Sequence, residues 1–186
     1  MYPVLFDPAR VRAVVVGRGP AAVRRLKGLE AAGVSDIKVF ATEADDEFAA
    51  LAGARLAPGL PERQDLEDAN LILVAGLEDA QAEGIAETAR ALGVAINVED
   101  RIQWCDFHFP ATVRRGDLLL TASTGGRSPG LARALRQHLE GLFGPEWQGR
   151  LDALAEARKG WRAEGQDPSE VSQRTQEWID REGWFG

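Results

Sequence analysis

Glycines with the spacing Gly17-x-Gly19-x-x-Ala22 follow a β-branched run and precede a segment with an apolar helical face. In this arrangement Gly17 makes a tight turn, Gly19 lets the backbone approach a pyrophosphate, and Ala22 allows a helix to pack closely on a strand. The start of the helix offers unpaired N–H groups and the positive end of its dipole to phosphates. The motif therefore predicts a dinucleotide site, and the alternative is a glycine turn that binds nothing.

The choice of dinucleotide depends on the end of the second predicted strand. That strand ends in Phe40-Ala41-Thr42, without the acid that usually binds the adenosine ribose. Glu43 comes slightly late and can still reach a ribose hydroxyl, whereas no arginine lies near this strand end to receive a 2′-phosphate. We therefore predict NAD as the cofactor rather than NADP.

Two adjacent carboxylates, Glu99 and Asp100, follow Asn97-Val98 at the end of the fifth predicted strand. The carboxyl ends of strands in an open α/β sheet face the ligand crevice. Because successive strand residues point to opposite faces, we expect only one of these carboxylates to face the crevice. Taken alone, the pair is better explained as a polar loop.

Hydroxyls, two glycines and Arg127 come together in residues 121–129, just before a predicted helix. Backbone amides and a guanidinium would suit a carboxylate-rich ligand, and a hairpin exit with a helix cap explains the same residues equally well. Cys105-Asp106-Phe107-His108 contains metal-ligating types. Alternation along a strand would place them on opposite faces, so we predict no metal site there.

The elements that position these residues alternate between strand and helix. We predict strands over residues 11–16, 36–40, 54–58, 70–75 and 94–98, with a helix after the first strand and another over 79–92. This alternation predicts an α/β fold with a doubly wound parallel sheet. Runs over 107–113 and 117–123 flank Arg114-Arg115-Gly116 and predict a hairpin. A helix from Pro129 to about residue 142 and two tail helices should follow, with tryptophans as packing residues.

Composition narrows the classes of partner. The 186 residues are 45% hydrophobic and 27% charged, which is typical of globular domains. A net charge of −7 disfavours nucleic acids and anionic membranes, because both require a basic face. One cysteine and two histidines exclude an internal disulfide and a soft-ligand zinc site. No apolar run approaches the ~20 residues that span a bilayer. We predict a cytoplasmic protein that binds a small molecule or a second copy of itself.

Six motifs in fixed order resemble one known family. They are Tyr2-Pro3-Val4, Val15-Val16-Gly17-x-Gly19, Asn97-Val98-x-Asp100, Cys105-Asp106-Phe107-x-Phe109-Pro110-Ala111, Arg114-Arg115-Gly116-Asp117 and Ser123-Thr124-Gly125-Gly126-x-Ser128-Pro129. Together they resemble the precorrin-2 dehydrogenase/sirohydrochlorin ferrochelatase family, which forms the N-terminal half of bifunctional sirohaem synthases and also occurs alone. The resemblance covers residues 1 to about 144.

The resemblance implies a domain organisation and a reaction. It implies an NAD-binding Rossmann domain over residues 1–113, a dimerisation segment over 114–144 and a small helical C-terminal domain over 145–186. The chain is then expected to be a homodimeric oxidoreductase that converts precorrin-2 to sirohydrochlorin with NAD. The alternatives are an enzyme that also inserts Fe²⁺ into sirohydrochlorin, and a non-catalytic protein that binds the nucleotide or the tetrapyrrole.

The resemblance also assigns residues. Asp100 matches the family's catalytic aspartate, a general base for the proton that is lost as hydride leaves to NAD. Beyond Gly17, Gly19 and Ala22, cofactor contacts are expected at Pro20, Ala21, Thr42, Glu43, Ala75 and Gly76. Substrate contacts are expected at Asn97, Ser123, Thr124, Gly125, Gly126, Arg127 and Ser128. The chain departs from the family at Arg18, where a third glycine is common, at Gly76-Leu77, where Thr-Asp is common, and at His108.

Overall fold

A computed structural model describes residues 1–185, which fold as two units, Met1–His108 and the segment that begins at Phe109. In the first unit, five strands form a sheet in the order β3-β2-β1-β4-β5, and every neighbouring pair is parallel. The strands are β1 Arg12–Gly17, β2 Asp36–Ala41, β3 Leu56–Pro58, β4 Leu71–Ala75 and β5 Ala95–Val98. The predicted doubly wound parallel sheet is confirmed.

Helices cover both faces of this sheet, which explains its apolar strands. Within residues 1–108 they are α1 Gly19–Ala31, α2 Asp46–Ala52, α3 Arg63–Leu66 and α4 Asp79–Leu92. On one face, Leu26 of α1 and Phe48 of α2 lie in one core cluster. On the other face, Leu66 of α3 and Ala86 of α4 lie in a second cluster. Because helices cover both faces of the sheet, all five residues of β4 are buried. This explains why β4 is a continuous apolar run, as is typical of parallel strands.

The order of the strands in the sheet changes direction at β1, because β2 and β3 lie on one side of β1 and β4 and β5 lie on the other. From β1 the chain runs outward to β2 and β3, and it then returns to the opposite side of β1 as β4. The end of β1 lies beside the end of β4, where Gly17 pairs with Ala75. Ligands of open α/β sheets bind outside the carboxyl ends of the strands at such a reversal. The glycine loop therefore stands where this fold places a ligand.

The second unit combines a hairpin with three helices across its described residues. The strands β6 Ala111–Arg115 and β7 Leu118–Ala122 are antiparallel. The helices are α5 Pro129–Leu142, α6 Glu146–Ala163 and α7 Pro168–Arg181. The predicted hairpin and helices are confirmed, but the predicted turn at Arg114-Arg115-Gly116 is wrong. Both arginines belong to β6, and Arg115 pairs with Leu118. The connection is Gly116-Asp117, with Gly116 at a φ of 58° that suits a two-residue hairpin turn.

Local sequence chemistry sets the ends of the helices in this unit. Ser128 caps α5 through its hydroxyl, which accepts a hydrogen bond from the Leu131 N–H at 3.3 Å. Asp167 and Glu170 form a reciprocal capping box at the start of α7. Trp147 of α6 is 8% exposed, as expected of a packing residue. Across residues 1–185, none of the helices has the length and apolarity needed to cross a bilayer.

Candidate functional site

The loop between β1 and α1 is shaped by close approach to the end of β4. Gly17 has a φ of 148°, and a Cβ placed there would lie 1.8 Å from the carbonyl oxygen of Ala75. The Arg18 N–H donates to that same oxygen at 3.2 Å. A Cβ at Gly76 would lie 2.4 Å from the Arg18 carbonyl oxygen. The two loops can pack this closely only because glycines lie at positions 17 and 76.

Gly19 has a different environment from Gly17. Its φ is 71°, but a Cβ there would meet no atom within 4 Å, so the space above it is open. The N-terminus of α1 is not capped by a side chain. Pro20 has no N–H, so Ala21 and Ala22 supply donors there, and Ala22 is fully buried against the sheet. Open space beside uncapped N–H groups fits a pyrophosphate, and these are the residues that the sequence motif singled out.

Arg18 connects the ends of three strands. Its Nη1 lies 3.0 Å from Oε2 of Glu43, which follows β2. Its Nε donates to the Gly76 carbonyl oxygen at 3.2 Å, and its Nη2 lies 3.6 Å from Oε1 of Glu78, beyond β4. The prediction that no arginine lies near the end of β2 is therefore wrong. Arg18 reaches that end because β1 and β2 are neighbours in the sheet, although 25 residues separate it from Glu43. Thr42, the preceding residue, is exposed.

Glu99 and Asp100 take different positions after β5. Glu99 is partly buried and forms an ion pair with Arg24 of α1, with Nη2 and Oε1 separated by 3.1 Å. Asp100 is exposed and has a φ of 58°, which makes it the one non-glycine residue with positive φ in the described chain. Aspartate tolerates this left-handed conformation better than most residues, and such conformations cluster at functional sites. The structure thus separates an ion-paired carboxylate from an exposed one.

Contacts on both sides of Asp100 hold its backbone. The Glu99 N–H donates to the Val74 carbonyl oxygen at 2.9 Å. Arg101 Nη1 donates to the Glu99 carbonyl oxygen at 3.1 Å, and its Nε donates to Oδ1 of Asp79 at 2.6 Å. Asp79 is the first residue of α4. Asp100 is therefore fixed between β4 and α4 without its own carboxylate being used.

A partly buried cation of α1, Arg25, adds positive charge near these acids. Burial lowers the pKa of Arg25, while the nearby charges of Glu99 and Asp100 act to raise it. Arginine remains protonated in proteins, so the guanidinium stays positive at neutral pH. The acids after β5 thus lie in the field of a partly buried positive charge.

The segment after Asp100 packs along β5. Asp106 exchanges two hydrogen bonds with Ile96: its N–H donates to the Ile96 carbonyl oxygen at 2.8 Å, and its Oδ2 accepts from the Ile96 N–H at 3.0 Å. The Cys105 thiol donates to the Val98 carbonyl oxygen at 3.1 Å. Asn97 is 4% exposed, and its Nδ2 donates to the Phe107 carbonyl oxygen at 2.8 Å. These side chains fasten the segment to the sheet.

Metal-ligating residues do not converge in the described chain. Over residues 1–185, no group of three or more His, Cys, Asp or Glu side chains is placed to hold a metal ion. Cys105 and Asp106 are engaged with β5 as described, and His108 is exposed.

In the second unit, the hydroxyl groups of the predicted substrate loop, residues 123–128, form hydrogen bonds with the backbone of the same loop. Thr124 Oγ1 donates to the Ser128 carbonyl oxygen at 3.0 Å and accepts from the Ser128 N–H at 3.2 Å. Ser123 Oγ accepts from the Gly125 N–H at 3.3 Å. Arg127 is exposed. The helix-cap interpretation of Ser128 is therefore confirmed, while substrate contacts at Asn97, Gly126 and the rest of this loop stay predictions.

Residues 4–111 match the model of a family described as putative NAD(P)-binding. The chain belongs to this family. Among curated proteins, it is similar to the siroheme synthases of Methylococcus capsulatus, at 37% identity over 156 residues, and of Nitrosococcus oceani, at 32% over 156 residues. These matches cover 82% of this chain and 32% and 33% of the two relatives. The siroheme synthase of Pseudomonas putida is 37% identical over 148 residues, which are 77% of this chain and 31% of that protein.

The chain spans about a third of the length of the curated relatives that it matches. The similarity confirms the resemblance predicted from the six motifs. Among solved structures, SirC, a precorrin-2 dehydrogenase, superposes with a TM-score of 0.77 at 23% sequence identity. The match covers 100% of this chain and 93% of that one, so the fold of this NAD(P)-binding family member is shared along its whole length.

Sequence reasoning missed two features of the site. It treated Arg18 as a departure from the motif and did not find its contacts with Glu43 and Glu78. It also missed the pairing of Arg101 with Asp79, which lie 22 residues apart. The only sequence signal for either was the presence of charged residues directly after predicted strands.

Proposed function

We propose that the chain is an NAD-dependent dehydrogenase that oxidises precorrin-2 to sirohydrochlorin in sirohaem biosynthesis, in the cytoplasm. The observation that carries this proposal is Asp100, an exposed carboxylate in a left-handed conformation at the sheet edge that also holds the open glycine loop. The names of the relatives, siroheme synthase and precorrin-2 dehydrogenase, support the choice of substrate. The lone cysteine and the absence of a disulfide partner for it are in keeping with a reducing compartment.

The residues around the reversal point fit NAD. The pyrophosphate would lie beside Gly17, Gly19 and the first N–H groups of α1, at Ala21 and Ala22. The adenosine ribose would lie at Thr42 and Glu43, and the end of β4, at Ala75 and Gly76, would border the remaining part of the cofactor. When bound, NAD supplies the hydride acceptor. The chain supplies position and a proton acceptor.

Dehydrogenation removes two electrons and two hydrogens from precorrin-2. One hydrogen leaves as hydride to NAD, and the other leaves as a proton, which Asp100 accepts as a general base. A carboxylate is suited to this step when the substrate can reach it, and Asp100 is exposed, whereas Glu99 is paired with Arg24. Arg127 is the proposed partner for carboxylates of the substrate.

The experiment compares Asp100→Ala with the wild-type chain. Anaerobic incubation with precorrin-2 and NAD, followed at the NADH absorbance band, should show a kcat reduced about 10²-fold or more, which is typical of a lost general base. The affinity for NAD, measured by titration, should be unchanged because the loop at Gly19 is intact. Asp36→Asn is a matched control, since Asp36 is an exposed carboxylate at the start of β2 and therefore at the opposite, amino-terminal end of the same parallel sheet. Undiminished turnover of Asp100→Ala would remove Asp100 from the mechanism.

We also propose that residues 114–144 form a homodimer interface. The helix α5 has no buried residue, and three of its four leucines are exposed, at 53% for Leu131, 40% for Leu135 and 57% for Leu142. These three leucines recur at a helical spacing that puts them on one face. The adjoining hairpin is a two-stranded sheet, which is marginal by itself. A second copy of the chain would cover this apolar face and extend the core of the unit.

A further inference from the structure

The Arg18 guanidinium extends from the loop between β1 and α1 to Glu43, which follows β2, the strand whose end faces the adenosine ribose in this fold. Its Nη1 lies 3.0 Å from the Glu43 carboxylate, and its Nη2 lies 3.6 Å from the Glu78 carboxylate. Its Nε is fixed by the Gly76 carbonyl oxygen at 3.2 Å. Three contacts thus hold the Arg18 guanidinium at the edge of the cofactor crevice.

These ion pairs contribute little to folding. The side chains are 41% exposed at Arg18, 79% at Glu43 and 80% at Glu78, and ion pairs between exposed residues stabilise a protein by about 0–1 kcal/mol. Glu43 nevertheless follows the end of β2 by two residues, close to the position from which an acid usually binds the adenosine ribose. We therefore expect these charges to affect the binding of a cofactor more than the stability of the sheet.

We propose that Arg18 and Glu43 together determine which dinucleotide the chain accepts; this inference rests on the proposed function, because it concerns the same cofactor site. Glu43 accepts a hydrogen bond from the ribose 2′-hydroxyl of NAD and neutralises Arg18. A 2′-phosphate would meet the Glu43 carboxylate and be repelled. Arg18 is in place to bind that phosphate once Glu43 loses its charge, since a guanidinium binds phosphate oxygens through paired N–H groups.

Glu43, rather than Glu78, is the deciding carboxylate. It makes the shorter contact with Arg18, and it follows β2, the strand whose end faces the adenosine ribose in this fold. Glu78 lies beyond β4 and contacts the other terminal nitrogen of Arg18, Nη2, at 3.6 Å. Removing Glu43 leaves Arg18 held by Glu78 and Gly76, still close to the ribose position.

The experiment measures binding, independently of precorrin-2 turnover. Titration calorimetry of the full chain compares NAD with NADP, and 5′-ADP with 2′,5′-ADP, which isolate the adenosine half of each cofactor. The variants are Glu43→Gln, the double variant Glu43→Gln/Arg18→Met, and the control Glu47→Gln. Glu47 is a nearby exposed acid that pairs with Lys27 and not with Arg18. Circular dichroism checks that each variant is folded.

In Glu43→Gln, the affinity for 2′,5′-ADP relative to 5′-ADP should rise about tenfold or more, because a charge-assisted hydrogen bond contributes at least the free energy of one decade in Kd. The double variant should lose this gain, and Glu47→Gln should behave as wild type. A ratio that stays within about twofold of wild type in Glu43→Gln, or a gain that survives loss of Arg18, would overturn the inference while leaving the proposed function intact. A wild-type chain that binds none of the four nucleotides would overturn both.

Discussion

Replacing Gly17 by alanine should lower the stability of the fold, whereas replacing Gly19 should weaken cofactor binding, although the two residues belong to one motif. At Gly17 the new methyl group would lie 1.8 Å from the Ala75 carbonyl oxygen, in a backbone with φ of 148°. At Gly19 it would meet no atom within 4 Å. Gly17→Ala should therefore damage the sheet, whereas Gly19→Ala should fill the space left for the pyrophosphate.

The magnitude for Gly17→Ala follows from three contributions. The strained backbone costs about 1–3 kcal/mol, and the overpacking against backbone that cannot rotate away costs about 1–3 kcal/mol. The Arg18 N–H to Ala75 carbonyl hydrogen bond, at 3.2 Å, contributes a further ~0.5–1.5 kcal/mol if β1 and β4 separate. The free energy of unfolding should fall by about 2.5–7.5 kcal/mol, out of a typical total of ~5–15 kcal/mol. Gly19→Ala should cost about 1 kcal/mol, from backbone strain alone.

The assay combines thermal unfolding, followed by far-UV circular dichroism, with titration of NAD. For a chain of this length, Gly17→Ala should lower the first unfolding midpoint by about 5–30 °C, because 1 kcal/mol corresponds to ~2–4 °C. Amide hydrogen exchange should accelerate in β1 and β4 and remain unchanged in α6 and α7. Gly19→Ala should unfold within a few degrees of wild type and bind NAD at least about tenfold more weakly. Equal midpoints for the two variants would refute the reasoning from the Gly17–Ala75 approach.

Two further predictions concern the Asp100 loop and the exposed helix. Asp79→Asn should release Arg101 and loosen the backbone beside Asp100. The kcat for precorrin-2 oxidation should then fall about tenfold, while the Kd for NAD stays constant. An unchanged kcat would show that the ion pair between Arg101 and Asp79 does not position the base. Leu135→Glu should convert a dimer to monomers in light scattering, whereas Gln137→Glu, on the opposite face of the same helix, should not. A monomeric wild-type chain would contradict the proposed interface.

The sequence determined the sheet because its central strands carry a strong local signal. The β-branched run before Gly17 and the apolar run over residues 70–75 can be stable only when buried on both faces, and both became central strands. The helix α4 was predicted with its observed bounds, Asp79–Leu92, because its apolar spacing and the glycine that follows it agree. The helix α2 was missed, since seven residues give too short a pattern for a helical period.

The tertiary structure decided how the charged residues combine. The types of Arg18 and Glu43 were readable, but their contact depends on β2 lying beside β1, which the strand order fixes. In the same way, Glu99 and Asp100 are neighbours in sequence, and only the packing of α1 against the sheet gives Arg24 to one and leaves the other exposed. The burial of apolar residues follows their local spacing along the chain, so it can be predicted from the sequence. Ion pairs join residues that are distant in the chain, and they exist only once the strands have taken their order.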